Sequence, residues 1–206
     1  MSDASGMFQM FGRDDFRIAR ETHYERFLGP VSSVAHSMSV DLLPLHIDVY
    51  QFAPSGARPC WTLVTGGMSD FRQPTLEEPP PGIAPRAELL MYVRELQGWM
   101  PSLLKGLAEM PFQRATCLHW GHTVPNGEPI IDDSEFTSFI FVPPSCETEE
   151  FEDFSVDGDH VAFLMVVPIT EAERAYAIEH GSAALGKLME ESKFNFIIDD
   201  KRKPLV

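Results

Sequence analysis

The stretch WTLVTGGMSDF, residues 61–71, runs as an apolar, β-rich segment, stops at Gly66 and Gly67, and then presents Met68, Ser69 and Asp70. Such a turn can cradle a phosphate, raise a nucleophile, or simply end a strand. A phosphate cradle needs glycines that feed directly into a helix, so that free amides and the helix dipole face the anion. No Lys-Ser/Thr pair follows these glycines, and Pro74 opens a proline-rich stretch that bars an immediate long helix. A nucleophile elbow fails too, because Ser69 lacks the flanking glycines and the strand-to-helix context. Ser69 is a turn residue on this reading.

Just upstream, PLHIDVYQF (44–52) sets Leu45, Ile47, Val49 and Gln51 against His46, Asp48, Tyr50 and Phe52. That period of two predicts a strand with both faces at least half buried. The loop APSGAR (53–58) returns the chain into PCWTLVT, predicting an antiparallel hairpin with Trp61 and Leu63 in the core.

Downstream, QPTLEEPPPGIAP (73–85) predicts an extended surface loop. The pattern then predicts a helix over RAELLMYVRELQGW (86–99), with Leu89, Tyr92, Val93 and Leu96 on one stripe. A second helix is predicted over MPSLLKGLAEMP, with Pro101 in its first turn, Leu103, Leu104 and Leu107 facing inward, and a stop at Pro111. SEFTSFIFVPP (134–144) and HVAFLMVVPIT (160–170) predict strands, the second central because it is almost wholly apolar. Thr170 followed by Glu173 has capping-box spacing and opens a helix that Gly181 weakens. The tail from Lys193 is predicted as an edge strand. At the other end, Asp14 caps a helix carrying Phe16, Ala19, His23 and Phe27 that Gly29-Pro30 ends.

With 206 residues, of which 44% are hydrophobic, the chain has material for one sizeable core. Residues 1–13 are expected to be a loose N-terminus and 14–206 a single domain. Lys and Arg number 16 against 31 Asp and Glu, a formal net charge of −15. A field of that sign repels polyphosphate backbones and anionic lipid, and attracts a basic protein. Neither nucleic acid nor a membrane is therefore an expected partner. Cys60, Cys117 and Cys146 suggest neither a disulfide framework nor a paired zinc knuckle. With no signal-peptide pattern and no apolar run near 18 residues, a cytoplasmic location is expected.

Three segments carry residues of chemical interest. CLHWGHTV places Cys117, His119 and His122 close together, but a structural zinc site wants four ligands in paired spacing. His46 and Asp48 share a strand face and suit proton transfer, yet neither a nucleophile nor a second acid accompanies them. The acidic run CETEEFEDFSVDGDH lacks the ligand spacing of a calcium loop, which leaves a solvated loop or a surface for a basic partner. No catalytic, metal-binding or cofactor-binding residue is assigned, and no cofactor is expected.

Taken in order, LHIDVYQFAPS, WTLVTGGMSDF, AELLMYVRELQGWMPSLLKGLAEMPF, GHTVPN and VAFLMVVPITEAERAYAIEHGSAALGKLME resemble suppressor of fused domains, especially single-domain bacterial ones, from about Leu42 to Glu190. The resemblance implies an α/β (α+β) fold, with a central mixed, largely antiparallel sheet covered by helices. It further implies binding to a protein without catalysis, either an immunity-type neutralisation of a basic toxin or capture of an extended peptide. Expected partner-binding residues are Met68, Ser69 and Asp70, together with Glu149, Glu150, Glu152 and Asp153 of the acidic run. The alternative is a small hydrolase or metal-dependent enzyme, which requires His46, Asp48, His119 and His122 to converge.

Overall fold

The computed structural model describes residues 4–36 (backbone alone for 4–13), 45–56, 58–74, 82–131, 133–199 and 201–206. In chain order the elements are α1 (Ala4–Leu28), β1 (Ser33–Ala35), β2 (Asp48–Phe52), β3 (Trp61–Gly66), a 3-10 turn (Met68–Asp70), β4 (Arg86–Val93) and α2 (Met100–Arg114). There follow β5 (Thr123–Pro125), β6 (Phe136–Val142), α3 (Glu149–Glu152), β7 (Ser155–Val156), β8 (Asp159–Thr170), α4 (Glu171–His180) and α5 (Ser182–Glu191).

The strands form one open sheet in the order β1-β2-β3-β4-β8-β6-β5, with β7 pairing β8. Among the described strands only β4 and β8 run parallel, Arg86 opposite Val161 through Leu90 opposite Met165. The fold is thus α+β with a mixed, mostly antiparallel sheet, and the predicted hairpin is present, Asp48 opposite Gly66 through Phe52 opposite Thr62.

Two apolar layers flank the sheet. Tyr24, Phe52, Val64, Leu90 and Phe163 pack with Phe151, Ala177 and Leu185 on the side of α1, α3, α4 and α5. Ile47, Leu63, Leu89 and Leu164 pack beneath Leu104 and Ala108 of α2 on the other. Leu63 and Leu89 are fully buried, and each such side chain contributes about 1.5–3 kcal/mol of apolar burial. Trp61 is only half-buried.

β4 departs most from the sequence reading, which predicts a helix there. Every residue from Arg86 to Val93 is buried, as a strand paired on both sides and covered on both faces requires. A helix with one inward stripe would have exposed Leu90 or Met91, and the good helix formers Ala, Glu, Leu and Met conceal that a short apolar run has no diagnostic period.

Other boundaries shift for local reasons. α1 begins at Ala4, so Asp14 lies inside it, and the buried stripe is Arg20, Tyr24 and Leu28. α2 runs past Pro111 to Arg114 and closes at Ala115 in a left-handed conformation. Thr170 and Glu173 form the capping box on α4, and Gly181, at φ +89°, separates α4 from α5. Among its described residues the tail makes a single bridge, Ile198 to Val93, instead of an edge strand. Residues 75–81 of the proline-rich loop lie outside the described residues. Cys60 and Cys146, remote in sequence, are brought close enough that each shifts the other's thiol, Cys60 upward and Cys146 downward.

Candidate functional site

The opening GGMSD turn is built around a buried carboxylate. Glu88 accepts from the Gly67 amide at 3.0 Å, from the Ser69 amide and hydroxyl at 3.0 and 2.6 Å, and from Thr65 Oγ1 at 2.6 Å. Gly67 sits at φ +120°, and a Cβ there would run into the His46 carbonyl. A Cβ on Gly66 would lie 2.5 Å from the Tyr50 ring. Both glycines are therefore demanded by close packing, and the turn ends a strand.

From this turn a charged network crosses the sheet end. Arg20 of α1 donates to Asp70 at 2.6 Å. Arg86, at the start of β4, donates to the Ser69 carbonyl at 2.9 Å and to Asp159 at 2.9 Å. Arg72 grips Asp159 with two bonds of 2.7 Å and, followed by Arg86, holds that carboxyl below its ordinary range. One buried arginine thereby ties the GGMSD turn to the end of the acidic run.

The acidic run is anchored by its aromatic residues. Phe151 stacks on Phe163 with ring centres 4.4 Å apart, and its carbonyl meets His23 Nε2 at 2.8 Å. Two of its acids are internal. Glu147 accepts from Tyr92 and lies 3.6 Å from Arg58, and Asp159 is held by its two arginines. Glu149, Glu150, Asp153 and Asp157 are exposed, and Glu152 is half-buried. Burial raises the Glu152 carboxyl, His160 opposes that, and Glu149 reinforces it.

A cleft of about 450 Å³ opens beside His160, walled by Ile83, Ala84, Leu118, His119, Trp120 and Ala162. That size falls in the range of ligand and anchor pockets. Gln73 fixes its floor through reciprocal bonds to the Leu118 carbonyl and amide, 3.0 and 2.8 Å. Trp120 donates to the Phe163 carbonyl at 3.1 Å yet stays 44% exposed, unusual for so large an apolar side chain.

The residues expected to bind a partner are thus placed as follows. Met68 and Ser69 are buried, Asp70 is half-buried against Arg20, and Glu149, Glu150, Glu152 and Asp153 lie on α3 and its C-cap, on the side of the sheet where Phe151 packs and opposite that of Leu118 and Ala162 in the cleft wall. The sequence reading missed Trp120, although an exposed-capable tryptophan between two histidines was the available signal. The four enzyme candidates do not converge. His46 and Asp48 flank the start of β2 while His119 and His122 precede β5, five strand positions away, on the order of 20 Å. His119 and His122 instead lie against each other, ring centres 3.3 Å apart and planes tilted by 46°.

A family model described as Suppressor of fused protein matches residues 44–203. Among curated proteins, the chain is 34% identical over 74 residues to Immunity protein YqcF of Bacillus subtilis (strain 168). That stretch is 36% of this chain and spans only 38% of the relative. Among solved structures, a suppressor of fused homologue from Neisseria gonorrhoeae FA 1090 superposes with a TM-score of 0.75 at 20% identity, covering 94% of this chain and 98% of the other. The Sufu–Fu complex gives 0.67 at 13% identity, covering 94% and 92%. Drosophila Suppressor of Fused gives 0.63 at 12%, covering 94% of this chain and 51% of that one. At these identities the structural matches establish the fold. Among the described residues no helix is long and apolar enough to cross a membrane.

Proposed function

The chain belongs to the suppressor of fused family, and from that premise we propose that it is a non-enzymatic, cytoplasmic protein-binding module of the immunity type, with residues 14–206 as its domain. Its partner is a basic toxin neutralised by direct contact. The observations that carry the reading are the cleft around half-exposed Trp120, lined by His160, and the exposed acids of α3, which leads into the β7 strand that pairs with His160. A desolvated aromatic anchor supplies the affinity of most interfaces, and surrounding charge of one sign supplies encounter rate and partner choice. Glu149, Glu150, Glu152 and Asp153 serve the second role, with Asp70 at the flank of the same sheet end. The net charge of −15 supports a basic partner, and the named immunity relative supports neutralisation.

A second reading, capture of an extended peptide, is favoured by one feature of β8. Its outer edge pairs with β7 at Asp159 and His160 and with β6 from Met165 onward. On that edge no described strand pairs with residues 162–164, the Val161 amide is taken by the Phe154 carbonyl at 2.9 Å, and the Phe163 carbonyl accepts from the Trp120 indole. A peptide strand could add there if Trp120 swung aside.

Affinity capture from the native organism identifies the partner, and Trp120→Ala separates the readings. Neutralisation through the anchor predicts that binding falls about a hundredfold, in the range of a hot-spot truncation. Strand addition predicts that Trp120→Ala binds as well as the parent or better.

A further inference from the structure

The open end of the β1–β2 pair carries side chains that the partner reading does not use. Ala35 lies opposite Val49, so one step further along the register His36 faces Asp48. His46 lies two residues before Asp48, on the same side of the strand. Both imidazoles consequently converge on one carboxylate oxygen: His36 Nδ1 is 3.3 Å and His46 Nε2 is 3.1 Å from Asp48 Oδ1. All three ligand atoms lie within 4.8 Å of one another.

The two separations to Asp48 are those of a coordination shell, while the ligand atoms together span up to 4.8 Å, so the two exposed imidazoles must turn slightly inward to close on one ion. Nitrogen and oxygen ligands about 2.0–2.2 Å from a tetrahedral ion stand roughly 3.3 Å from each other. The positions are also held from behind. Lys105 of α2 donates to the His36 carbonyl at 2.6 Å, and Gly67 packs against the His46 carbonyl, where a Cβ would not fit. Asp48 is buried while the side chains of His36 and His46 are 72% and 64% exposed, so the group faces solvent with its carboxylate at the bottom.

We propose that His36, His46 and Asp48 form a binding site for a divalent cation of the zinc class, with the fourth position open to water. Two imidazoles and one carboxylate suit a borderline ion such as Zn²⁺, whereas Ca²⁺ and Mg²⁺ take oxygen ligands. Three protein ligands with one open position differ from the closed four-ligand set of structural zinc. The bound ion would join the end of β1 to the start of β2 beside the GGMSD turn.

The test is a zinc titration of the chain carrying no polyhistidine tag, in competition with a chromophoric chelator, alongside Co²⁺ binding followed by its visible absorption. One equivalent per chain is expected, with an affinity loss of about tenfold or more in His36→Gln and in His46→Gln. Both side chains are exposed, and circular dichroism confirms that the variants are folded. A His119→Ala/His122→Ala variant should keep the full equivalent. Substoichiometric binding, binding unchanged in both glutamine variants, or loss in the His119/His122 variant instead would each overturn the assignment.

Discussion

Ser69 presents both its amide and its hydroxyl to one buried oxygen, Glu88 Oε1, at 3.0 and 2.6 Å. The same oxygen accepts from the Gly67 amide, and Arg20 lies 3.7 Å away. Replacing Glu88 by alanine leaves these donors buried without their acceptor, which costs about 3–5 kcal/mol. The urea midpoint of Glu88→Ala should fall accordingly. An unchanged midpoint would mean that the turn is held by something other than this carboxylate.

Gly67 and Gly66 should respond differently to alanine. At Gly67 the new methyl meets backbone, the His46 carbonyl, and the residue must also keep φ at +120°. At Gly66 it meets the tip of the Tyr50 ring and the Arg20 side chain, which can shift. Gly67→Ala is expected to be the more damaging by at least about 1 kcal/mol, since strained backbone costs of that order add to the clash. Equal thermal midpoints for the two variants would contradict this placement.

Arg202 and Glu173 set one limb of the acid response. Burial alone would raise the Glu173 carboxyl, but bonds from Arg202 at 2.6 and 2.7 Å and from the Thr170 amide outweigh it and hold the group below its ordinary range. A carboxyl lowered on folding contributes stability that is present above its unfolded value of about 4.3 and is lost as pH falls through the folded value. Burial likewise lowers His23 and His122, the latter aided by His119, so their contribution fades as pH falls below about 6.5. Glu147 and Glu152, raised chiefly by burial, act in the opposite sense. Arg202→Ala should cost about 3 kcal/mol at pH 7 and distinctly less at pH 3, where Glu173 is protonated in the variant. Denaturant titrations at the two pH values check this. An equal loss at both would remove the ion pair from the account.

Charge on α3 is expected to govern association rate. Replacing Glu149, Glu150, Glu152 and Asp153 by glutamine or asparagine should slow binding of the captured partner about tenfold at low salt. The difference should shrink toward physiological ionic strength, where the field reaches only about 8 Å. Stopped-flow or surface-based association rates at two salt concentrations decide the matter. An on-rate unchanged at low salt would leave these acids as solubilising groups and leave the Trp120 cleft as the sole binding feature.

The elements readable from sequence are those specified by neighbours in the chain. The alternation over residues 45–52, the long apolar run ending at Thr170, and the Thr170–Glu173 capping box each produce local structure through period, burial or a bond spanning three residues. The glycine pair was readable as a strand end because the residues needed for phosphate binding or nucleophilic attack are absent nearby. β4 was not readable, because an apolar run of eight residues fits a helix stripe and a two-sided strand equally, and only β3 and β8 on its flanks decide between them. The same holds for the candidate sites. Arg86 bonds Ser69, 17 residues before it, and Asp159, 73 residues after it, Trp120 reaches the edge of β8, and His36 meets Asp48 by strand register. None of these contacts has a sequence period, since each is created by chain segments that the sheet brings side by side. Only the tertiary structure could decide them.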